Sequence, residues 1–299
     1  MYEQYYHFAE KPFRLTADPK YLYESQSHTN AVTLLREAIA RREGFAVVTG
    51  DVGTGKTTLC RALLDQADRK TFTALLQNPF VSEEDLLGNI LRDFGVVSRI
   101  DERLGAAGPS RQALIETLSN FLESLVSLGA TALLIVDEAQ AQPVPTLEQI
   151  RALSNLAADK VTLLQIVLVG QLDLLALLRT PQHRLLDGRF SIRCRLTPLT
   201  EDETSAYVAH RLTVAGGAPI VTFTPSALHL VHEYSGGIPR LINMICHRAL
   251  VAGYVAQTMR IDADLARAVA DVLTLGTGQA KRPVEGRTWF SRLRRAPRS

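Results

Sequence analysis

Apolar, strand-like runs recur through the first two thirds of the chain: Phe45 to Thr49, Thr71 to Leu76, Thr131 to Val136, Leu163 to Val169 and Ile192 to Leu196. Helical patterns separate them. Apolar strands alternating with helices predict a five-stranded parallel sheet flanked by helices, an α/β fold. Ser82-Glu-Glu-Asp85 and Thr146-Leu-Glu-Gln149 read as helix starts, each an N-cap hydroxyl followed three residues later by a side chain able to reach back. Gly44 and Gly129 stand where helices should stop before strands.

After Leu199 the pattern becomes helices alone. Thr200-Glu-Asp-Glu203 is a capping box opening a helix to about Ala215, Thr224-Pro225 opens another, and two more run near Pro239–Ala256 and Ala263–Leu273. The organisation expected is a sheet-bearing domain over 1–199, a small all-helical domain over 200–275, and a flexible basic tail over 276–299, where Gly, Pro and Arg dominate without periodicity.

Composition limits the alternatives. With 46% apolar and 21% charged residues, the 299-residue chain is neither disordered nor a disulfide scaffold. Cys60, Cys194 and Cys246 stand far apart with no C-x-x-C pair and read as reduced core thiols. Residues 281–299 carry seven basic side chains against one acid, while positions 1–280 hold 26 basic and 30 acidic residues. A mildly acidic body argues against a broad nucleic-acid surface. The tail segment Trp289-Phe-Ser-Arg-Leu293-Arg-Arg295 has a composition that rests on anionic membrane surfaces, or else simply solubilises the chain. MYEQYYHFAEKPF lacks the basic flank and apolar stretch of a signal peptide, and no run approaches 18 apolar residues, so a cytoplasmic location is expected, with inner-membrane contact through the tail alone.

The chemistry begins at Gly50-Asp-Val-Gly-Thr-Gly-Lys-Thr57, which matches G-x-x-x-x-G-K-[ST] between an apparent strand and a helix. Such a loop cradles phosphates with backbone N–H groups at a helix N-terminus, its lysine reaches the β- and γ-phosphates, and its hydroxyl ligates Mg²⁺. The expected nucleotide-binding residues are Gly50, Asp51, Val52, Gly53, Thr54, Gly55, Lys56, Thr57 and Thr58, with ATP and Mg²⁺ as cofactors. Further on, Leu133-Leu-Ile-Val-Asp137-Glu138 ends an apolar strand in two carboxylates. In this class of protein Asp137 joins Thr57 in holding the Mg²⁺ shell, and Glu138 polarises the attacking water. Gly170-Gln171 ends another strand in an amide, and Gly236-Gly-Ile-Pro-Arg240 opens a helix in the helical domain. His229 and His232 share a helix face without a third ligand and read as ordinary surface histidines.

These landmarks resemble AAA+ ATPases. More narrowly, Pro12-Phe13, Asp18-Pro19, Tyr21-Leu-Tyr-Glu-Ser25, Val136-Asp-Glu-Ala-Gln140, Val169-Gly-Gln171 and Ser235-Gly-Gly-Ile-Pro-Arg-Leu-Ile-Asn243 resemble the general secretion pathway protein A family, the ExeA-type ATPases, over residues 1–275. Exosortase-linked and transposition relatives share much of the pattern. The resemblance implies a P-loop NTPase sheet with a helical lid over 200–275, Gln171 as sensor 1, Arg240 as sensor 2, and a ring or partial ring in which one subunit lends an arginine finger to the next. Candidates for that finger are Arg184, Arg189, Arg193 and Arg195, of which Arg189 in Gly188-Arg-Phe190 best matches the family position. Tyr21 and Tyr23 either flank the adenine, as the resemblance implies, or pack on the surface. The function so implied is Mg²⁺-dependent ATP hydrolysis driving assembly or remodelling of a bacterial secretion or envelope complex. The alternatives are an ATP-dependent DNA-binding regulator, its basic tail on phosphates, and a switch that holds ATP with little hydrolysis.

Overall fold

The computed structural model describes residues 2–77, 82–97, 109–154, 156, 162–181, 184–216 and 220–276. The tail beyond 276, including Trp289 to Arg295, lies outside the described residues. In chain order the first part contains α1 (Tyr2–Tyr5), α2 (Gln26–Ala40), β1 (Phe45–Gly50), α3 (Lys56–Asp65), β2 (Thr71–Leu76), α4 (Glu83–Asp93), α5 (Arg111–Leu128), β3 (Thr131–Val136), α6 (Val144–Leu153), β4 (Leu164–Gly170), α7 (Asp173–Leu178), α8 (Arg184–Asp187) and β5 (Phe190–Leu196). The second part contains α9 (Glu201–Val214), β6 (Thr222–Phe223), α10 (Pro225–Ser235), α11 (Pro239–Val255), β7 (Arg260–Ile261) and α12 (Ala263–Gly276).

The five long strands pair in parallel in the order β2-β3-β4-β1-β5. Successive side chains of a strand face opposite sides, so Val47, Leu134, Val136, Ile166 and Leu168 pack with α4, α5 and α6. Val48, Leu133, Ile135, Val167 and Val169 pack with Leu35 of α2 and Leu59 and Leu63 of α3. This double coverage is why the inner strands β1, β3 and β4 are apolar along almost their whole length, while β5 at the edge carries exposed Arg193 and Arg195. The register pairs Val136 with Leu168 and Thr49 with Gly170, so the tips of β3, β4 and β1 end side by side.

Several boundaries differ from the sequence reading. β5 starts at Phe190 rather than Ile192, because Phe190 packs edge-on against Phe45 at 5.6 Å. Thr146 is not an N-cap: α6 begins two residues earlier, with Pro145 in its first turn and Thr146 buried against the core. Gly129 does stop α5 in the left-handed conformation, but α2 ends well before Gly44, and Arg42 takes the positive φ of 55° there. The capping box at Thr200 and the N-caps at Ser82 and Thr224 are present.

The region after Leu199 is mostly helical, yet a short parallel pair, β6 with β7, ties the start of α10 to the start of α12. Its core reaches back to the beginning of the chain, because Tyr2, Tyr6, Phe8 and Phe13 are buried among Tyr207, Leu212, Ile245 and Leu250. Tyr6 Oη donates to the Thr258 carbonyl at 3.1 Å. The N-terminal segment is therefore packed as part of the helical unit, although it precedes the sheet in sequence.

Candidate nucleotide site

The loop after β1 turns on Gly53 (φ 84°) and Gly55 (φ 100°), left-handed conformations that side-chain-bearing residues rarely adopt. Gly55 leads directly into α3, so the first N–H groups of that helix face the loop with the positive end of its dipole. Lys56, 5% exposed, folds its Nζ onto the carbonyl oxygens of Gly50 and Asp51, each at 2.9 Å. Burial draws its pKa below the ordinary lysine value, and the Glu138, Asp137 and Asp51 carboxylates oppose that shift. Thr54 caps the turn by donating its hydroxyl to Asp51 O at 2.9 Å, and Val52 stands exposed at the loop's tip.

Thr57 Oγ1 donates to Asp137 Oδ2 at 2.6 Å. Asp137 is buried at the tip of β3, its own N–H on Leu76 O at 2.8 Å. Glu138 N donates to Asp137 Oδ1 at 2.9 Å, and Glu138 itself has φ 50°, which turns the chain back on itself. That reversal places Gln140 between two of the expected residues. Its Nε2 donates to Glu138 Oε2 at 2.6 Å, and its Oε1 accepts from Gln171 N at 3.0 Å. Gln171 Nε2 reaches the same Glu138 oxygen at 3.5 Å. Gln140 is a residue of the site to which sequence reasoning gave no role, although it closes the Val136–Gln140 stretch that carries the resemblance.

The helical unit closes the other side. Arg240 N donates to Gly53 O at 3.2 Å, and a Cβ on Gly53 would fall 2.6 Å from the Arg240 Cβ. Between the two units lies a cavity of about 350 Å³, lined by Val52 to Thr58, Glu138, the 14–18 segment, Tyr207, Arg211, Arg240 and Asn243. Tyr21 and Tyr23 line it too, and both are held by neighbours. Tyr21 Oη donates to Glu10 at 2.9 Å beneath the Arg211 guanidinium at 4.1 Å, and Tyr23 packs edge-on against Tyr207 at 5.9 Å. Arg211, 4% exposed, was also missed. It donates to Pro12 O at 2.7 Å and Arg14 O at 2.9 Å, while Arg61 of α3 donates to Ala17 O, so the segment between is fastened to both units.

The residues fit a nucleotide and Mg²⁺. The backbone cradle leaves no space for side chains, the cavity has the size of small-molecule sites, and the Thr57–Asp137 pair offers the oxygen donors Mg²⁺ takes.

Arg189 lies elsewhere. It precedes β5, at the end of the sheet opposite the phosphate loop, and its Nη1 donates to Ser154 Oγ at 2.7 Å. Arg193 is held by Asp187 at 2.9 Å, Arg195 is exposed on β5, and the side chain of Arg184 lies outside the described residues. His229 meets Glu201 at 2.8 Å and His232 meets Thr204 at 2.9 Å, contacts that join α10 to α9. Among the described residues no group of His, Cys, Asp and Glu is arranged to hold a metal as a cluster, and no helix is long and apolar enough to cross a membrane. All three cysteines are buried and unpaired.

A family model for an AAA domain matches residues 39–178. General secretion pathway protein A of Aeromonas hydrophila is 41% identical over 261 residues, which is 87% of this chain and 46% of that protein. The chain thus spans less than half the length of that relative. The solved structure of the Aeropyrum pernix ORC2 protein in its ADPNP–ADP complexes aligns with a TM-score of 0.64 at 16% identity, over 88% of this chain and 71% of that one. The Thermotoga maritima RuvB Holliday junction branch migration motor aligns with a TM-score of 0.56 at 16% identity, over 84% and 70%. At such identity these structures speak to the fold. Sheet order and phosphate loop give the chain the fold of the P-loop AAA class, and residues 39–178 match the AAA-domain family model. Within that class the chain is related to general secretion pathway protein A, in keeping with the ExeA-type resemblance of its N-terminal block and Gly-Gly-Ile-Pro-Arg segment.

Proposed function

We propose that this chain binds ATP with Mg²⁺ and hydrolyses it, using the cycle to drive assembly or remodelling of a bacterial secretion or envelope complex. The observation that carries the hydrolytic part is the hydrogen-bonded set Glu138–Gln140–Gln171 at the strand tips, beside the Thr57–Asp137 pair. A bound Mg²⁺ would neutralise charge on the phosphates and polarise them for attack.

The chain's own groups do the rest. Backbone N–H groups of the 53–58 loop bind phosphate oxygens, and Lys56 Nζ exchanges its two carbonyl partners for them. Thr57 and Asp137 would hold the Mg²⁺. Glu138 Oε2 accepts the proton of the attacking water, and the amides of Gln140 and Gln171 fix the direction in which that oxygen faces. Gln171 senses the same position, and Arg240, bonded through its backbone to Gly53, links nucleotide state to movement of the helical unit. Arg189, outside its own cavity, serves as the finger for a neighbouring subunit in a ring or partial ring. The setting is cytoplasmic, with the basic tail at the inner-membrane surface. The relative's name supports a secretion-complex partner.

The test is a pair of measurements on the full chain. Glu138→Gln should bind ATP as tightly as the parent in titration calorimetry yet release phosphate roughly 100-fold or more slowly. Equal release by the two proteins would remove Glu138 from the chemistry.

A further inference from the structure

His28 belongs to the first turn of α2 yet reaches the phosphate loop. It is 5% exposed, its Nδ1 lies 2.7 Å from Ser25 Oγ, and a Cβ built on Gly55 would fall 2.9 Å from its Nε2. Nε2 therefore lies against the Thr54–Gly55 peptide, and the Thr54 backbone favours a proton on the ring, as a carbonyl turned toward a ring nitrogen does. Burial holds the pKa of His28 below the ordinary histidine value and keeps the ring neutral. A proton on Nε2, the nitrogen against that peptide, leaves Nδ1 to accept from the hydroxyl of Ser25, which is itself the N-cap of α2. The charge facing the ring comes from Glu203 of α9, whose carboxylate accepts from Gln26 N and Thr200 N, both at 2.9 Å.

A trans peptide is planar, with its C=O and N–H pointing in opposite directions. A Thr54 carbonyl that faces α2 therefore leaves the Gly55 N–H on the opposite side of the peptide. We propose that His28 is a positioning residue for phosphate binding: its ring, braced by Ser25, fixes the Thr54–Gly55 peptide so that the loop is set before a nucleotide arrives. This rests on reading the loop as the ATP site. It gives α2, a helix outside the recognised phosphate-binding motif, a direct hold on that motif, and through Glu203 it adjoins the start of the helical lid.

The test compares His28→Ala with His28→Gln, whose amide keeps a donor of similar reach, using the full chain. Without nucleotide, amide exchange of peptides covering 50–58 should quicken by about tenfold in His28→Ala and by much less in His28→Gln. In the Glu138→Gln background the Kd for ATP should rise about tenfold with Ala and recover to within about threefold with Gln, while kcat at saturating ATP in the parent background stays within about threefold. A melting temperature lowered by Ala with unchanged loop exchange would make His28 merely structural and overturn the proposal. Faster exchange with unchanged Kd would overturn its link to phosphate. A parent that binds no nucleotide would overturn the ATP reading, and the exchange measurement would still decide whether His28 holds the loop.

Discussion

Thr57 donates its hydroxyl to the Asp137 carboxylate at 2.6 Å, joining two residues 80 positions apart at the N-terminus of α3 and the tip of β3. The parallel order β2-β3-β4-β1-β5 places β4 alone between β1 and β3, so their C-terminal tips open on one shared crevice. Thr57→Val keeps the volume and removes the hydroxyl, leaving buried Asp137 without this donor. The expected cost is about 1–3 kcal/mol of stability in thermal unfolding without nucleotide. Nucleotide affinity should then no longer increase on adding Mg²⁺. Retained Mg²⁺ dependence would take Thr57 out of the metal site.

Gln140 joins Glu138 to Gln171 through both ends of one amide. Gln140→Ala releases the Glu138 carboxylate without removing it, so kcat should fall roughly tenfold while ATP affinity stays within about twofold. Steady-state kinetics beside titration calorimetry separates the two quantities. A change in affinity alone would show that Gln140 shapes the cavity rather than the base.

Gly237 anchors the start of the helical unit. Its φ is 73°, Leu199 N donates to its carbonyl at 2.8 Å, and a Cβ there would fall 2.0 Å from Leu199 O. Gly95, at φ 75°, has nothing within 4 Å of such a Cβ. Gly95→Ala should therefore cost only the backbone strain, about 1 kcal/mol, and Gly237→Ala about 2–4 kcal/mol. Denaturant melts of the two variants make the comparison, and equal losses would argue against tight packing of the 199–237 contact.

Histidines set the mild-acid behaviour. Burial draws the pKa values of His28, His210 and His247 below the ordinary value. Their unfolded counterparts protonate near pH 6.5, so below about that pH the unfolded chain binds more protons and stability falls as pH drops toward the folded-state values. Exposed His229, raised by its hydrogen bond to Glu201, acts in the opposite direction but faces solvent. Melting temperature should decline between about pH 7 and pH 5.5, and less steeply in His28→Gln. A melting temperature that rose over that range would contradict the assignment of neutral buried rings.

The sheet was legible because both of its faces are covered, which leaves apolar runs at β1, β2, β3 and β4. The loop from Gly50 to Thr57 was legible because its glycines, lysine and hydroxyl serve one another at fixed spacing. Contacts made only by the fold were not. Arg211 lies 199 positions from Pro12, whose carbonyl it holds, and nothing periodic marks either residue. Gln140 enters the site through a positive φ at Glu138, a conformation that the residue type does not announce. The N-terminal aromatics are spaced irregularly because they fill gaps around α9 and α11 rather than one face of a helix of their own. Gly44 misled because Arg42 takes the left-handed turn instead.

Hydrolysis at a site completed between subunits can be read from phosphate release from Mg-ATP by the full chain over a concentration series, with Glu138→Gln as the blank and Arg189→Ala alongside. Specific activity should rise with protein concentration above the Glu138→Gln blank and be lost in Arg189→Ala, although that variant still binds ATP. Parent activity equal to the blank at every concentration would contradict it and leave a nucleotide-holding switch. Activity independent of concentration and unchanged in Arg189→Ala would place the whole reaction within one chain.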